Sequence, residues 1–465
     1  MANLLIHILL LTILHSILFI NNSLGLNVII FTLPLLLFLY YVLKSNKKIK
    51  NKKGLLFIIP IIILSSTYYI YNNIFRIFNI IIIPILYILM YIYTIKPDYK
   101  LRRVLLDIII LLCEPFDCIG KLYNLVKISI SKTLKLSNDV KKKIKSILIV
   151  IPIIIIVLLL LSSADMMFSK IFSSFFNIFK GISFDSIFIR IFVGLIVFTY
   201  LGSQINYILF GYKKDNEDTL DKIKIEVFTI KLLLTILNII YIVFVIIQIR
   251  SLLLHNVSKS INYAEYARSG FFQLMFISLI NLTIILVSKN SKDNNYNKVM
   301  SIIMVLLTLI IISSSTYRMY LYESAYGYTL LRLLVYVTLI TEVILIIPTV
   351  FYILNSKVNI LKHYMTIIVV IYTLINLVSV DKVIAERNIN RYYKTNKLDI
   401  NYLKNYYTDN VSYLYDLYGK LDDEEEKKSL KEYFKIIKKQ NKIDNIFEYN
   451  ISKDESIKIL KKVKN

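Results

Sequence analysis

From Ser146 to Ser163 the chain reads SILIVIPIIIIVLLLLSS, an uncharged run interrupted only by one proline. About 20 such residues in a helix cross a hydrocarbon core of ~30 Å, and in lipid a segment must satisfy its own backbone hydrogen bonds. The run has many counterparts. Apolar stretches fall at about residues 4–20, 24–43, 55–71, 77–95, 146–163, 187–210, 227–249, 270–288, 299–315, 330–353 and 362–380. Hydrophobic residues make up 57% of the chain, against about 45–50% apolar in soluble domains, so a water-soluble fold could not hide them. The pattern predicts an all-α fold: a polytopic transmembrane helical bundle of about eleven spans, with a small C-terminal helical soluble domain.

The formal charge of +25 could point to nucleic acid, but the lysines sit mainly in short loops beside spans and in the tail. That placement orients membrane proteins, and no nucleic-acid partner is expected. The loop Lys44 to Lys53 (KSNKKIKNKK) and the stretch Lys96 to Lys145 are strongly basic, whereas the loops near Asn21 and Arg76 are nearly uncharged. In a bacterial-type cytoplasmic membrane these loops alternate correctly if the N-terminus is cytoplasmic. Segments 164–186, 250–269 and 316–329 then lie outside, and so does the tail. The opening MANLLIHILLLTILHSILFINNSLG lacks a basic n-region and a small-x-small cleavage site, so it is read as a first span. Val104 to Leu122 is apolar but carries Asp107, Glu114 and Asp117, each costing about 2.5–3.5 kcal/mol at a span centre. It is read as interfacial or re-entrant, followed by a basic amphipathic helix on an anionic leaflet.

Four segments result: an N-terminal four-span segment (1–95), a basic interfacial or cytoplasmic segment (96–145), a seven-span core (146–380) and a soluble helical tail (381–465). In the tail Leu403, Tyr407, Leu414, Leu417 and Leu421 approximate one helical face, ending near Gly419. Asp422 with Glu425, and Ser452 with Glu455, have capping-box spacing and predict two further helix starts.

No phosphate-binding loop, dinucleotide fingerprint, zinc-protease motif or nucleophile elbow occurs, and Cys113 and Cys118 lack the second ligand pair of a zinc site. No cofactor or metal is expected. Ionisable and amide groups within spans are candidates for function. Glu342 lies mid-span, His7 and His15 share a face of the first span, and Asn238 and Asn281 could line a polar path. Two motifs beside spans carry more charge. YAEYARSGFFQL places Glu265 and Arg268 three apart on a helix; STYRMYLYESAYGYTLLRL interleaves Arg318, Glu323 and Arg332 with tyrosines. The four residues Glu265, Arg268, Arg318 and Glu323 are expected to meet near the outer ends of spans, where pairing offsets burial.

Those two motifs, with SSADMMF around Asp165 and DKVIAERNINRY from Asp381 to Tyr392, give a chain that resembles the bacterial domain of unknown function 4173 family over about residues 145–420. The resemblance implies a multi-pass membrane protein and supplies no catalytic residues. Three functional classes stay open. A membrane scaffold or envelope sensor would use an outward charged, tyrosine-rich surface, with membrane lipids, an anionic lipid or an envelope protein as partner. A secondary transporter would use Glu342 as a midplane carboxylate. An envelope enzyme on a lipid-linked substrate comes third, with Glu323 and Arg318 as its nearest constellation.

Overall fold

Runs of isoleucine and leucine with few glycines leave the helix as the one economical way to pair every backbone group. The computed structural model describes residues 2–95, 186–210, 227–253, 271–288, 295–355, 358–404, 408–421 and 423–463, and among these no residue is in a strand. Five helical segments are long and apolar enough to cross a membrane: Leu26–Ser45, Lys52–Ile70, Phe75–Ile95, Asn295–Tyr326 and Leu330–Leu354. Ile360–Asn376 and Val380–Thr395, bent by 62°, make a sixth if counted together, and shorter apolar stretches occur at Ile6–Phe19, Val193–Gly202, Ile230–Ile246 and Ile277–Leu286. These helices mark the chain as a membrane protein. The run 146–163, the segment 104–122 and both cysteines lie outside the described residues.

The described residues form two compact units. The first contains α1 (Ala2–Phe19), α2 (Leu26–Ser45), α3 (Ile58–Ile70) up to Tyr69, α4 (Phe75–Ile95) from Ile77, α5 (Ser186–Phe210) and the late stretch Asp444–Tyr449. α1 packs on α2 and α5. Polar ties join the spans: Thr32 donates to Ser65 (2.9 Å), Asn79 donates to Thr67 (3.3 Å), and the Tyr91 hydroxyl donates to Gln204. The late stretch seats on the α1–α2 turn, with Ser23 N–H donating to Glu448 (3.0 Å) and Leu26 N–H to the Tyr449 carbonyl (3.0 Å). A Cβ on Gly25 would stand 2.6 Å from the Glu448 carbonyl oxygen, so this close approach needs glycine.

The second unit takes Ile70–Arg76 and the chain from α6 (Val227–Leu253) onward, except Asp444–Tyr449. In it α8 (Asn295–Tyr326) packs against α6, α7 (Phe271–Ser288) and α9 (Leu330–Leu354), and α9 against α10 (Ile360–Asn376). Leu234, Ile285, Met304, Ile311 and Leu339 fill the centre of that bundle. α11 (Val380–Thr395), α12 (Ile400–Lys404), α13 (Val411–Tyr418), α14 (Glu424–Gln440) and α15 (Ile451–Leu460) gather around Ile384, Leu403, Leu414, Leu417, Phe434 and Leu460.

The tail's expected single face divides among α12, a 3-10 turn at Thr408–Asn410 and α13, although Leu403, Leu414, Leu417 and Leu421 do share one core. Tyr407 lies outside the described residues. Both expected caps are corrected by short polar residues nearby. Asp423 caps α14 by accepting from Glu425 and Glu426 N–H, and Asn450 caps α15 by accepting from Lys453 N–H (2.8 Å), which leaves Ser452 inside the helix. Asp and Asn cap as well as Ser does. Asn450 also donates to the Tyr71 carbonyl (2.9 Å), while the Ser452 hydroxyl pairs with that of Thr408 (3.3 Å).

Candidate functional site

α8 ends at Tyr326 and the chain reverses through Gly327, whose φ of +85° favours a residue without a Cβ. The turn is gripped by α11. Asn388 accepts from Tyr328 N–H (2.9 Å) and donates to the Tyr328 carbonyl (2.8 Å), while Arg391 donates to the Ala325 carbonyl (2.7 Å). α9 then starts under two hydroxyls: Thr329 accepts from Arg332 N–H (3.4 Å), and Tyr402 accepts from Leu330 N–H (2.8 Å). The Arg332 guanidinium donates to the Gly327 carbonyl and lies 4.1 Å from the Tyr322 ring centroid.

Inside this junction Glu323 is 7% exposed. Its carboxylate accepts from the hydroxyls of Tyr328 and Tyr336, so a buried charge has two phenol donors. Burial, then the hydrogen bond to Glu323, pushes the Tyr328 hydroxyl above its usual value, which keeps it a donor at neutral pH. Beside Glu323 opens a cavity of about 620 Å³, lined among others by Tyr320, Tyr328, Arg387, Arg391 and Lys394. Three cations thus face one carboxylate already engaged by phenols. The Arg391 Nε is buried and finds no acceptor among the described residues. A cationic, aromatic-walled cavity suits a phosphate or carboxylate group on a ligand.

Of the other candidates, Arg318 lies buried on α8, the same helix as Glu323. Glu265 and Arg268 lie outside the described residues, as does Asp165. Glu342 on α9 is 1% exposed; Ser278 of α7 donates to its Oε2 (2.5 Å), and its Oε1 has no partner among the described residues. Asn281 accepts from Tyr241 (2.7 Å) and donates to Thr308 (3.0 Å), linking α6, α7 and α8, and Asn238 donates to the Met300 carbonyl (2.9 Å). In the first unit His7 stacks on Phe38, and His15 packs against Phe19 and Phe31 at an apolar cavity of about 400 Å³. Arg387, Asn388 and Lys394 were not legible as site residues, although Arg387, Arg391 and Lys394 recur at helical spacing on one face of α11.

Apolar helices around such a charged junction define the class: an all-helical membrane protein. Residues 58–417 match the family described as domain of unknown function (DUF4153), and the chain belongs to that family. This overturns the resemblance to the family numbered 4173. Short charged, tyrosine-rich segments between Ile/Leu spans answer a requirement common to many membrane bundles, and do not by themselves separate one such family from another. The matched region holds all four motifs and reaches back to residue 58, into the N-terminal spans. No curated protein and no solved structure matches the chain.

Proposed function

We propose that the chain is an envelope sensor or scaffold of the bacterial cytoplasmic membrane, with about eleven spans and an extracytoplasmic helical tail, that holds a phosphate-bearing group in the pocket between α8 and α11. The observation that carries this reading is the pocket itself, where Arg387, Arg391 and Lys394 line a cavity beside a carboxylate already engaged by two phenol donors. The phosphate can arrive on a lipid headgroup or as a free ion. Protein purified in neutral detergent and titrated with phosphatidylglycerol, with phosphatidylcholine or with inorganic phosphate separates these sources by native mass spectrometry. Arg387 is the cleaner probe, because Arg391 also supports the turn. Losing one charge-assisted bond, about 1.5–3 kcal/mol, should weaken binding about tenfold or more in Arg387→Ala. Binding of none of the three additives, or unchanged binding in the variant, rejects the pocket reading.

A second reading, a secondary transporter, draws on the buried Glu342 with its bond from Ser278 and the neighbouring Asn281 link to Tyr241 and Thr308. Liposomes carrying the protein should then dissipate an imposed proton gradient, and Glu342→Gln should stop this at unchanged abundance. Decay no faster than in empty liposomes rejects it. The enzyme reading stays third, since Glu323 is already committed to two phenols.

A further inference from the structure

Asp381 is the second residue of α11, just past the 62° bend that separates α10 from α11. It is 1% exposed, and neither carboxyl oxygen has a hydrogen-bond partner among the described residues. Its acidic neighbour Asp409, also buried, is fully engaged: Oδ1 accepts from Asn72 N–H (2.7 Å) and Oδ2 from the Ser379 hydroxyl (2.7 Å). Among the described residues the remaining groups around Asp381 are few. Tyr433 of α14 and Tyr402 of α12 are both pushed up, by burial first and by Asp381 to a lesser degree, and Arg332 of α9 acts on Tyr402. Lys382, next in α11, lies 3.8 Å from Glu455 of α15. No histidine occurs between Asp381 and Asn465. Among the described residues no three Asp, Glu, His or Cys side chains group as metal ligands.

Two neighbouring buried carboxyls with no cation bonded to either among the described residues are costly to ionise together. Asp409 has the donors, so the proton belongs on Asp381. The same helix carries Arg387, Arg391 and Lys394 into the pocket and clamps the α8–α9 turn through Asn388. We propose that Asp381 is a proton switch for α11: protonated it seats the helix start in the tail core, and ionised it loosens that seat and the pocket's hold on a phosphate group. The second half rests on the pocket reading above.

Burial, and then Asp409, push the Asp381 carboxyl from 3.8 up to about 7. Between those values the folded chain keeps a proton that the unfolded chain has lost, so stability falls as pH rises through the window and levels off above it. The test uses the full chain in neutral detergent, read from about pH 5 to about pH 8.5 by thermal melting and by phosphatidylglycerol binding. The phosphodiester does not titrate in that range. The melting temperature should fall towards neutrality and then flatten, binding should weaken several-fold over the same interval, and Asp381→Asn should flatten both profiles.

A flat wild-type melting profile, or a slope that survives Asp381→Asn, overturns the switch. An Asp381-dependent slope with pH-independent binding overturns its coupling to the pocket. The same slope with no phosphatidylglycerol binding at any pH supports the switch and strikes the pocket reading instead. Should Asp381→Asn fail to fold, Asp409→Asn removes the opposing charge and should move the melting inflection to lower pH; an unmoved inflection overturns the proposal. Calcium or sodium raising the melting temperature at high pH only when Asp381 is present would show a cation in the proton's place, and would also overturn it.

Discussion

Glu323 shows how one residue sets the chemistry around it. A carboxylate 7% exposed would be costly alone, and here the hydroxyls of Tyr328 and Tyr336 supply donors from the turn and from α9. Tyr328 can do so because Asn388 fixes its backbone on both sides, and that clamp in turn requires Gly327. At φ +85° a Cβ on residue 327 would lie 2.6 Å from the Asn388 Oδ1. Gly327→Ala should therefore lose about 1–3 kcal/mol through backbone strain and displacement of Asn388. Thermal melting checks this, and Asn388→Ala should bring the variant part of the way back towards its own background. A Gly327→Ala protein as stable as the parent would show that the turn is not held as described.

At the scale of elements, the helices were easier to read than their ends or partners. Hydropathy ends the ninth span at about residue 315, yet α8 continues to Tyr326. Serine and threonine hydroxyls return their bonds to the helix, as Ser313 does to Leu309 (2.9 Å) and Thr316 to Ile312 (2.9 Å), while Arg318 and Glu323 are buried. A window registers those residues as polar, although the helix itself satisfies the serine and threonine hydroxyls. The α8–α9 half of the site was legible, because charges and tyrosines beside a span are unusual. Its α11 half was visible only as a family-like motif. Asn388 recognises the backbone of Tyr328, which leaves no pattern in side chains, and the two lie far apart in the chain. Likewise Glu342 stood out as a mid-span acid, whereas its donor Ser278 is one hydroxyl among many.

For the whole molecule, the side of the membrane that each loop faces follows from where the lysines fall. Within the first unit Glu448 and Tyr449 bond to the α1–α2 turn at Ser23 and Leu26. Within the second, Asp409 and Asn450 bond to the α3–α4 turn at Asn72 and Tyr71. Both turns are nearly uncharged, whereas the α2–α3 loop between them, Lys44 to Lys53, is dense in lysine. Alternation of bare and lysine-dense loops along the sequence is what an N-terminus inside and a tail outside would produce. The long tail's own lysines carry little weight, since large domains cross regardless of charge. Reporter fusions should accordingly give a cytoplasmic signal after Lys48 and an extracytoplasmic one after Asn22, Asn73 and Asn390. A cytoplasmic signal after Asn390 would reject the odd number of spans. With it would go the placement of the Arg387–Lys394 pocket on the envelope side, leaving the inner leaflet as the source of any phosphate it binds.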